Sequence, residues 1–499
     1  MMLTYPIKRH HSPAVNDSLL EDLALHQLLF EHFDDPNSYL SCDVNAIGER
    51  NRALQWMLLH PTALSFMKAF RDALYELKET ARSLDSDAIL VLANLGIIAK
   101  VHAAARDLYE ELSSINTSNV SEIRALHQGL AQVIDLVFPD NFYEAWDQFA
   151  QGLDHIGSLV YKIRINRKVQ IESIAIQGVY KHKTLKTNAP GLKSLLLGKG
   201  KTFSLKTDTR STPGYSYDPS RSLSMLERLK YVLNHLLIKQ TSSVRTGIRT
   251  AILRVYQNFA ALYEEMDFIT RAADFLHAIE CEDMAFTFAT INSSMEDPIT
   301  IQGMYHPTLL AQAKTITRNN LRAVNGRHVV LLGGYNCDGK TTFLRTVGAV
   351  QVFFQMGLPC PVQNACLYPA SSLVSVFAGE EDTGLLHGKL GQELKKLHAA
   401  LKLLSEDGCF FFNEPITSTS ATENYHISKE ILCILLAKGH RGVWVTHLYR
   451  LFGDVEDIHQ LHLCSDLVCM RTRQGNLDDP PFSVMEGVPL QDSGARLIH

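Results

Sequence analysis

The chain has no excess of positive charge. Its 48 lysines and arginines face 53 acidic residues, for a net charge of −5. That excludes a globally basic nucleic-acid binder and leaves a local basic surface open. Paired cysteines are missing too. The nine cysteines are scattered without a Cys-x-x-Cys, so neither a zinc site nor a disulfide framework is indicated. Nothing approaches the roughly 20 consecutive apolar residues of a membrane-spanning helix. The opening residues, Met1 to Pro6, carry no apolar core of a signal peptide. These absences predict a cytoplasmic protein with no membrane partner.

What is present is length, helical periodicity and one phosphate-binding loop. A chain of 499 residues exceeds what one core usually holds, so about two to four domains are expected. After a tail at 1–17, apolar residues recur at three- and four-residue spacing from 18 to 290, which predicts an all-α core and lever domain. The sharpest seam is Ile248, Ile252, Val255, Phe259, Leu262, Met266 and Ile269, with Leu276 in phase. Its steps alternate four and three, a period of about 3.5 residues. One long helix would present that seam either to a bundle core or to a coiled-coil partner.

Inside this region lies a basic stretch. Between 162 and 206 lysines and arginines recur with Glu172 as the one acid, and glycines and prolines follow to Pro219. This reads as an irregular loop region at 162–220. Lys181, Lys183, Lys186, Lys199 and Lys201 are candidate contacts to a DNA phosphate backbone, and a solvated surface loop is the alternative of equal standing.

From 291 to 499 the pattern turns to short apolar strands alternating with helices. Strands are predicted at Asp297 to Gln302, Asn320 to Val324, His328 to Leu332, Ser371 to Phe377, Cys409 to Phe412 and Gly442 to Thr446. Helices fall at 343–354, 390–404 and 423–438, and a hairpin through Gly475 and Asn476 closes the region. Such alternation is the signature of a parallel sheet flanked by helices. The fold class is therefore multidomain, an N-terminal all-α domain followed by an α/β domain built on a P-loop.

The loop itself runs from Gly334 to Thr341 and reads G-x-x-x-x-G-K-T between a buried strand and a helix. Gly334, Tyr335, Asn336, Cys337, Asp338, Gly339, Lys340, Thr341 and Thr342 would surround the phosphates, whose charge the helix N-terminus favours. Lys340, expected to face solvent without nucleotide, would reach the β- and γ-phosphates, and the Thr341 hydroxyl would hold Mg²⁺. The strand Cys409 to Phe412 leads into Asn413 and Glu414, where Glu414 would polarise an attacking water and Asn413 would meet Mg²⁺ only indirectly. A further strand, Val443 to Thr446, ends in His447, placed to sense the γ-phosphate.

This constellation resembles the ATPase domain of the MutS mismatch-repair family. The resemblance rests on Met304 to Thr308, Gly334 to Thr341 with Asn336 at the third loop position, Glu380 to Glu393, Asn413 to Ser420, and Thr446 to Leu448. It spans about 296–455, with a weaker likeness of the helical half to the family's core and lever domains. The chain looks most like the short branch without a mismatch-reading domain, to which Asn413 and the ending Thr446-His447-Leu448-Tyr449 also point.

The resemblance implies ATP and Mg²⁺ as ligands, Lys340, Glu414 and His447 as catalytic residues, a homodimer through the ATPase domains, and a DNA clamp in repair or recombination. Departures imply slower turnover. The family's signature serine falls on His387 or Gly388, its adenine-stacking aromatic falls near Ile316, Asp338 puts a carboxylate in the phosphate loop, and Asn413 is neutral. The alternative is a nucleotide-gated, weakly hydrolysing or non-hydrolysing scaffold that assembles other proteins.

Overall fold

A computed structural model of the chain describes residues 12–83, 96–115, 120–137, 156–165, 171–181, 242–279, 286–311, 316–378, 388–461, 463–473 and 480–489. These fall into two compact units. One holds the described residues within 61–266, and the other holds 12–60 together with those from 267 on.

In chain order the elements begin with β1 (Ala14–Val15), α1 (Leu19–Asp22), α2 (His26–Phe30) and α3 (Val44–Leu59). The helical unit supplies α4 (Pro61–Ser83), α5 (Gly96–Ser114), α6 (Ser121–Val137), β2 (Ile156–Ile165), β3 (Ile171–Lys181) and the first part of α7 (Ser242–Ile279). The α/β unit resumes with β4 (Thr290–Ile291), β5 (Ile299–Met304), β6 (Asn319–Ala323) and β7 (His328–Gly333). It continues through α8 (Lys340–Met356), β8 (Asn364–Leu367), β9 (Ser372–Phe377), α9 (Lys389–Leu403), β10 (Cys409–Asn413) and α10 (Ala421–Ala437). Last come β11 (Arg441–Val445), α11 (Tyr449–Gly453), α12 (Val455–His459), β12 (Asp466–Thr472) and β13 (Val484–Glu486).

The helical unit is built from narrow apolar stripes. Met67, Phe70, Leu74 and Leu77 of α4 and Val101, Ala105, Leu108 and Leu112 of α5 are buried at three- and four-residue steps. Each such leucine or phenylalanine contributes about 1.5–3 kcal/mol by leaving water. The α7 seam joins this core: Val255, Phe259, Leu262 and Met266 are buried, and Phe259 meets Phe70 edge-on at 5.2 Å. The seam is thus a core stripe.

β2 and β3 pair antiparallel from Ile156–Lys181 to Ile165–Ile171, so the start of the basic region is a two-stranded ribbon and not irregular chain. Its sequence carries the reason. Leu159, Tyr161, Ile163 and Ile165 alternate with Lys162 and Arg164, the period-two pattern of a strand.

In the α/β unit a seven-stranded sheet runs in the order β1-β9-β10-β11-β7-β12-β13, parallel except for β13. A second sheet, β4-β8-β5-β6, joins three strands that precede β7 to β8, which follows α8. Alternation gives the larger sheet two apolar faces. Val329, Leu331, Phe410, Phe412 and Trp444 pack with Leu397 of α9 and Leu432, Leu435 and Leu436 of α10. The intervening Val330, Leu332, Phe411 and Val443 take the opposite face, and α8 packs against β10 and β11.

The N-terminal segment belongs to this unit rather than to the helices that follow it. β1 pairs parallel with β9 through Ala14–Ser372 and Val15–Leu373, so two residues of the expected tail form a strand. Asn16 prolongs the ladder with its side-chain amide, accepting from Ser375 N at 2.9 Å and donating to Ser375 O at 2.8 Å. Leu23 seats against α8 at Gly348, where a Cβ would lie 2.4 Å from the leucine methyl. Among the described residues no helix is long and apolar enough to cross a membrane.

Candidate nucleotide site

The site is assembled at the carboxyl ends of the parallel strands, where α/β sheets place their ligands. β7 ends at Gly333, the chain turns through 334–339, and α8 begins at Lys340. Gly334, Cys337 and Gly339 have φ of +146°, +64° and +89°. Glycine is required at the first of these, because a Cβ there would come 1.9 Å from Thr472 Oγ1.

Lys340 is buried, contrary to the expectation that it faces solvent. Its Nζ donates to Gly334 O at 2.9 Å and Tyr335 O at 2.7 Å. Burial lowers its pKa, and the charges of Glu414 and Asp338 act the other way. The Asp338 carboxylate accepts from Thr472 Oγ1 at 3.3 Å, which ties the loop to β12. Next in the helix, Thr341 Oγ1 donates to Asn413 Oδ1 at 3.3 Å, so the loop and the end of β10 are in direct contact.

Glu414 follows Asn413 with φ +49°, and its N–H donates to Val445 O at 3.0 Å. This left-handed turn leaves the strand direction and brings the carboxylate to His447, whose Nε2 lies 2.8 Å from Glu414 Oε1. Behind it the chain is fixed by Glu393 of α9. That carboxylate accepts from Thr417 N and Ser418 N, both at 3.1 Å, and from their hydroxyls at 2.7 and 2.8 Å. Burial acts to raise the Glu393 pKa, but the four donors outweigh it and hold the carboxyl below its ordinary value.

A cleft of about 370 Å³ opens in front of these groups. Asn336, Cys337, Gly339, Lys340, Thr341, Thr342 and Glu414 line it. The other expected residues stand one contact back: Gly334 and Tyr335 behind Lys340, Asn413 behind Thr341, Asp338 on Thr472, and His447 behind Glu414. Tyr305, His306, Ile316 and Phe482 line it too, and Phe482 sits against the loop, where a Cβ on Gly339 would come 3.3 Å from its own.

Phe482 was not legible as a site residue. Its ring is 56% exposed, its φ is +64°, and flanking carbonyls are held by Thr317 Oγ1 to Pro481 O at 2.6 Å and Asn319 Nδ2 to Phe482 O at 3.2 Å. An exposed aromatic in a left-handed turn is the only signal that marks it. Lys183, Lys186, Lys199 and Lys201 lie outside the described residues, as do His387 and the turn at Gly475 and Asn476, and the Lys181 side chain is likewise not described. Gly388 precedes α9 as its N-cap.

No family model matches the chain. Among curated proteins it is 22% identical to the DNA mismatch repair protein MutS of Brevibacillus brevis over 289 residues, 54% of this chain and 33% of that one. A match to MutS of Geobacillus thermodenitrificans, 22% over 419 residues, takes in 78% of this chain and 45% of the relative. Endonuclease MutS2 of Gemmatimonas aurantiaca is 24% identical over 225 residues, 44% of this chain and 26% of that one. The chain is related to the MutS family. The MutS kinship extends beyond the α/β unit, because a match over 78% of the chain cannot be confined to residues 12–60 and 267–489. In each case the chain spans less than half the length of its MutS relative.

Proposed function

We propose that the chain is a MutS-like ATPase whose nucleotide state governs a DNA-holding homodimer. The observation that carries this reading is the convergence on one cleft of Lys340, the Thr341–Asn413 contact and the Glu414–His447 pair. Lys340 would exchange its two loop carbonyls for β- and γ-phosphate oxygens. That exchange returns a charge partner to a buried ammonium and so favours its protonated form. Glu414 would orient a water in line with the γ-phosphorus and take its proton as the bond to the leaving ADP oxygen breaks. The Phe482 ring, which lines the same cleft beside Gly339, would stack on the base.

The residues present suit Mg²⁺ carried in with ATP. Thr341 and Asn413 offer one hydroxyl and one amide oxygen, and no cluster of three or more His, Cys, Asp or Glu side chains able to hold a metal occurs among the described residues. A cation held chiefly by phosphates and water matches such a donor set. When bound it would supply positive charge to the phosphate oxygens.

DNA contact is assigned to Lys181, Lys183, Lys186, Lys199 and Lys201. Their binding would be independent of sequence and weaken steeply with salt. A second reading, a slowly hydrolysing scaffold switched by nucleotide, is favoured by neutral Asn413 at the Thr341 hydroxyl and by Asp338 in the loop.

ATP turnover measured with and without duplex, mismatched and branched DNA tests the proposal. Hydrolysis that responds to DNA and disappears in Lys340→Ala is expected. Binding without turnover moves the assignment to the scaffold, and absence of nucleotide binding in the parent chain overturns both.

A further inference from the structure

The amino ends of the same parallel strands carry a second polar cluster that the nucleotide chemistry does not use. Register places Cys409 of β10 beside Arg441 of β11, and the next rung pairs Gly442 with Val329, so Arg441 stands beside His328 of β7. The three side chains line a narrow pocket of about 20 Å³ whose remaining side chains are apolar, Ile299, Val347 and Leu367 among them, except Gln351, whose amide nitrogen is already engaged by Gln355 Oε1 and Tyr368 O. Arg441 is 3% exposed. Its Nη2 donates to Tyr368 O, its Nη1 lies 3.4 Å from Met295 Sδ, and its Nε has no partner among the described residues.

No carboxylate forms an ion pair with it among the described residues. The nearby Asp407 is engaged by Arg327 at 3.6 Å. Burial pushes the Cys409 thiol up to about 11, against the pull of Arg441, so it supplies no negative charge at neutral pH. Burial, followed by the charge of Arg441, lowers His328 to about 4 and leaves it neutral. The cluster is therefore a buried guanidinium with no paired carboxylate, steadied by the neutral Cys409 thiol and by Asp407 at a distance, and burial still disfavours its charge.

We propose that this pocket binds one small monovalent anion of the size of chloride as the counter-ion of Arg441. Size selects the ligand: a water needs about 10–15 Å³ by the same measure, so 20 Å³ admits a single atom or its equal and excludes phosphate or sulfate. Charge then separates the anion from water, which would accept from Nε but leave the guanidinium unneutralised. The ion joins β7, β10 and β11, whose opposite ends carry the phosphate loop, Glu414 and His447. It acts on the stability of that framework and takes no part in turnover.

The test is thermal unfolding of the full chain in sodium chloride, bromide and gluconate at equal ionic strength. Unfolding temperature should rise with halide by about 1–2 °C per tenfold increase above the dissociation constant, and gluconate, too large for the pocket, should have no such effect. Arg441→Met should lose the halide dependence. Should that variant fail to fold, anomalous diffraction from bromide-grown crystals of the parent chain should place a peak beside Arg441 Nε. Equal unfolding temperatures in all three salts, a water at Nε in bromide crystals, or a halide effect that persists in Arg441→Met would each overturn the proposal.

Discussion

Glu414 Oε1 and His447 Nε2 lie 2.8 Å apart, and the contact depends on Glu414 holding a backbone φ of +49°. A left-handed residue with a side chain costs about 1–2 kcal/mol. Here that strain turns the carboxylate out of the β10 line and toward the end of β11, two adjacent parallel strands. Strain of this kind gathers where a group must be aimed. The imidazole fixes the carboxylate's direction, and both groups remain about one-third exposed.

Replacing that carboxylate should separate chemistry from binding. Glu414→Gln keeps the shape and a hydrogen-bond acceptor for His447 but cannot take a proton from water. We expect kcat for ATP hydrolysis to fall by about 10²- to 10⁴-fold while ATP affinity stays within about threefold. Filter binding beside steady-state turnover reads both, and a parent-like kcat removes Glu414 from the reaction.

Phe482 should matter for the base and not for the phosphates. Phe482→Ala is expected to weaken ATP binding by about 1–3 kcal/mol, the usual worth of a base–aromatic stack. Inorganic triphosphate should bind the variant and the parent equally. Calorimetric titration with both ligands decides the matter, and equal losses for the two would show a damaged loop instead of a lost stack.

Asn413 sets the charge at the Thr341 hydroxyl. Asn413→Asp places a carboxylate 3.3 Å from that hydroxyl, and a charged acceptor is worth about 1 kcal/mol more than a neutral one. The Mg²⁺ concentration for half-maximal turnover should drop by about fivefold. A Mg²⁺ titration at saturating ATP measures it, and an unchanged midpoint would place the metal away from β10.

Glu393 gives the α/β unit an acid-sensitive tie. Its folded pKa lies below the ordinary glutamate value of about 4.3. The stability it contributes is complete above that value and is lost as pH falls through the depressed folded pKa. Glu393→Ala leaves two backbone donors without their acceptor and should cost about 1–3 kcal/mol at neutral pH, with the loss narrowing below pH 4. Denaturant unfolding across acid pH follows this, and a pH-independent difference would mean the carboxylate's charge is not involved.

Legibility followed the range of the interactions. The strands now called β5 to β7 and β9 to β11 begin and end within two residues of where apolar runs placed them, because each run is a local signal. The turn between β7 and α8 and the end of β10 at Asn413 were readable for the same reason. β1 is two residues long and finds its partner only at Ser372, so no local pattern announces it. The β2–β3 ribbon did carry strand alternation, but the density of lysine and arginine favoured a loop reading. Glu393 entered only as the end of the Glu380 to Glu393 stretch, because its contacts are with Thr417 and Ser418, residues of a different loop.

The pairing of β1 with β9 also bears on the order in which the protein can be made. Asn16 leaves the ribosome 359 residues before Ser375, the residue that both halves of its side-chain amide bind. At the usual elongation rates of about 5–20 residues per second, that is an interval of about 20 to 70 s. Throughout it the first strand of the sheet has no neighbour, while the helical unit between them is already outside the exit tunnel. The nascent chain must therefore keep β1 unpaired until β9 arrives to receive it.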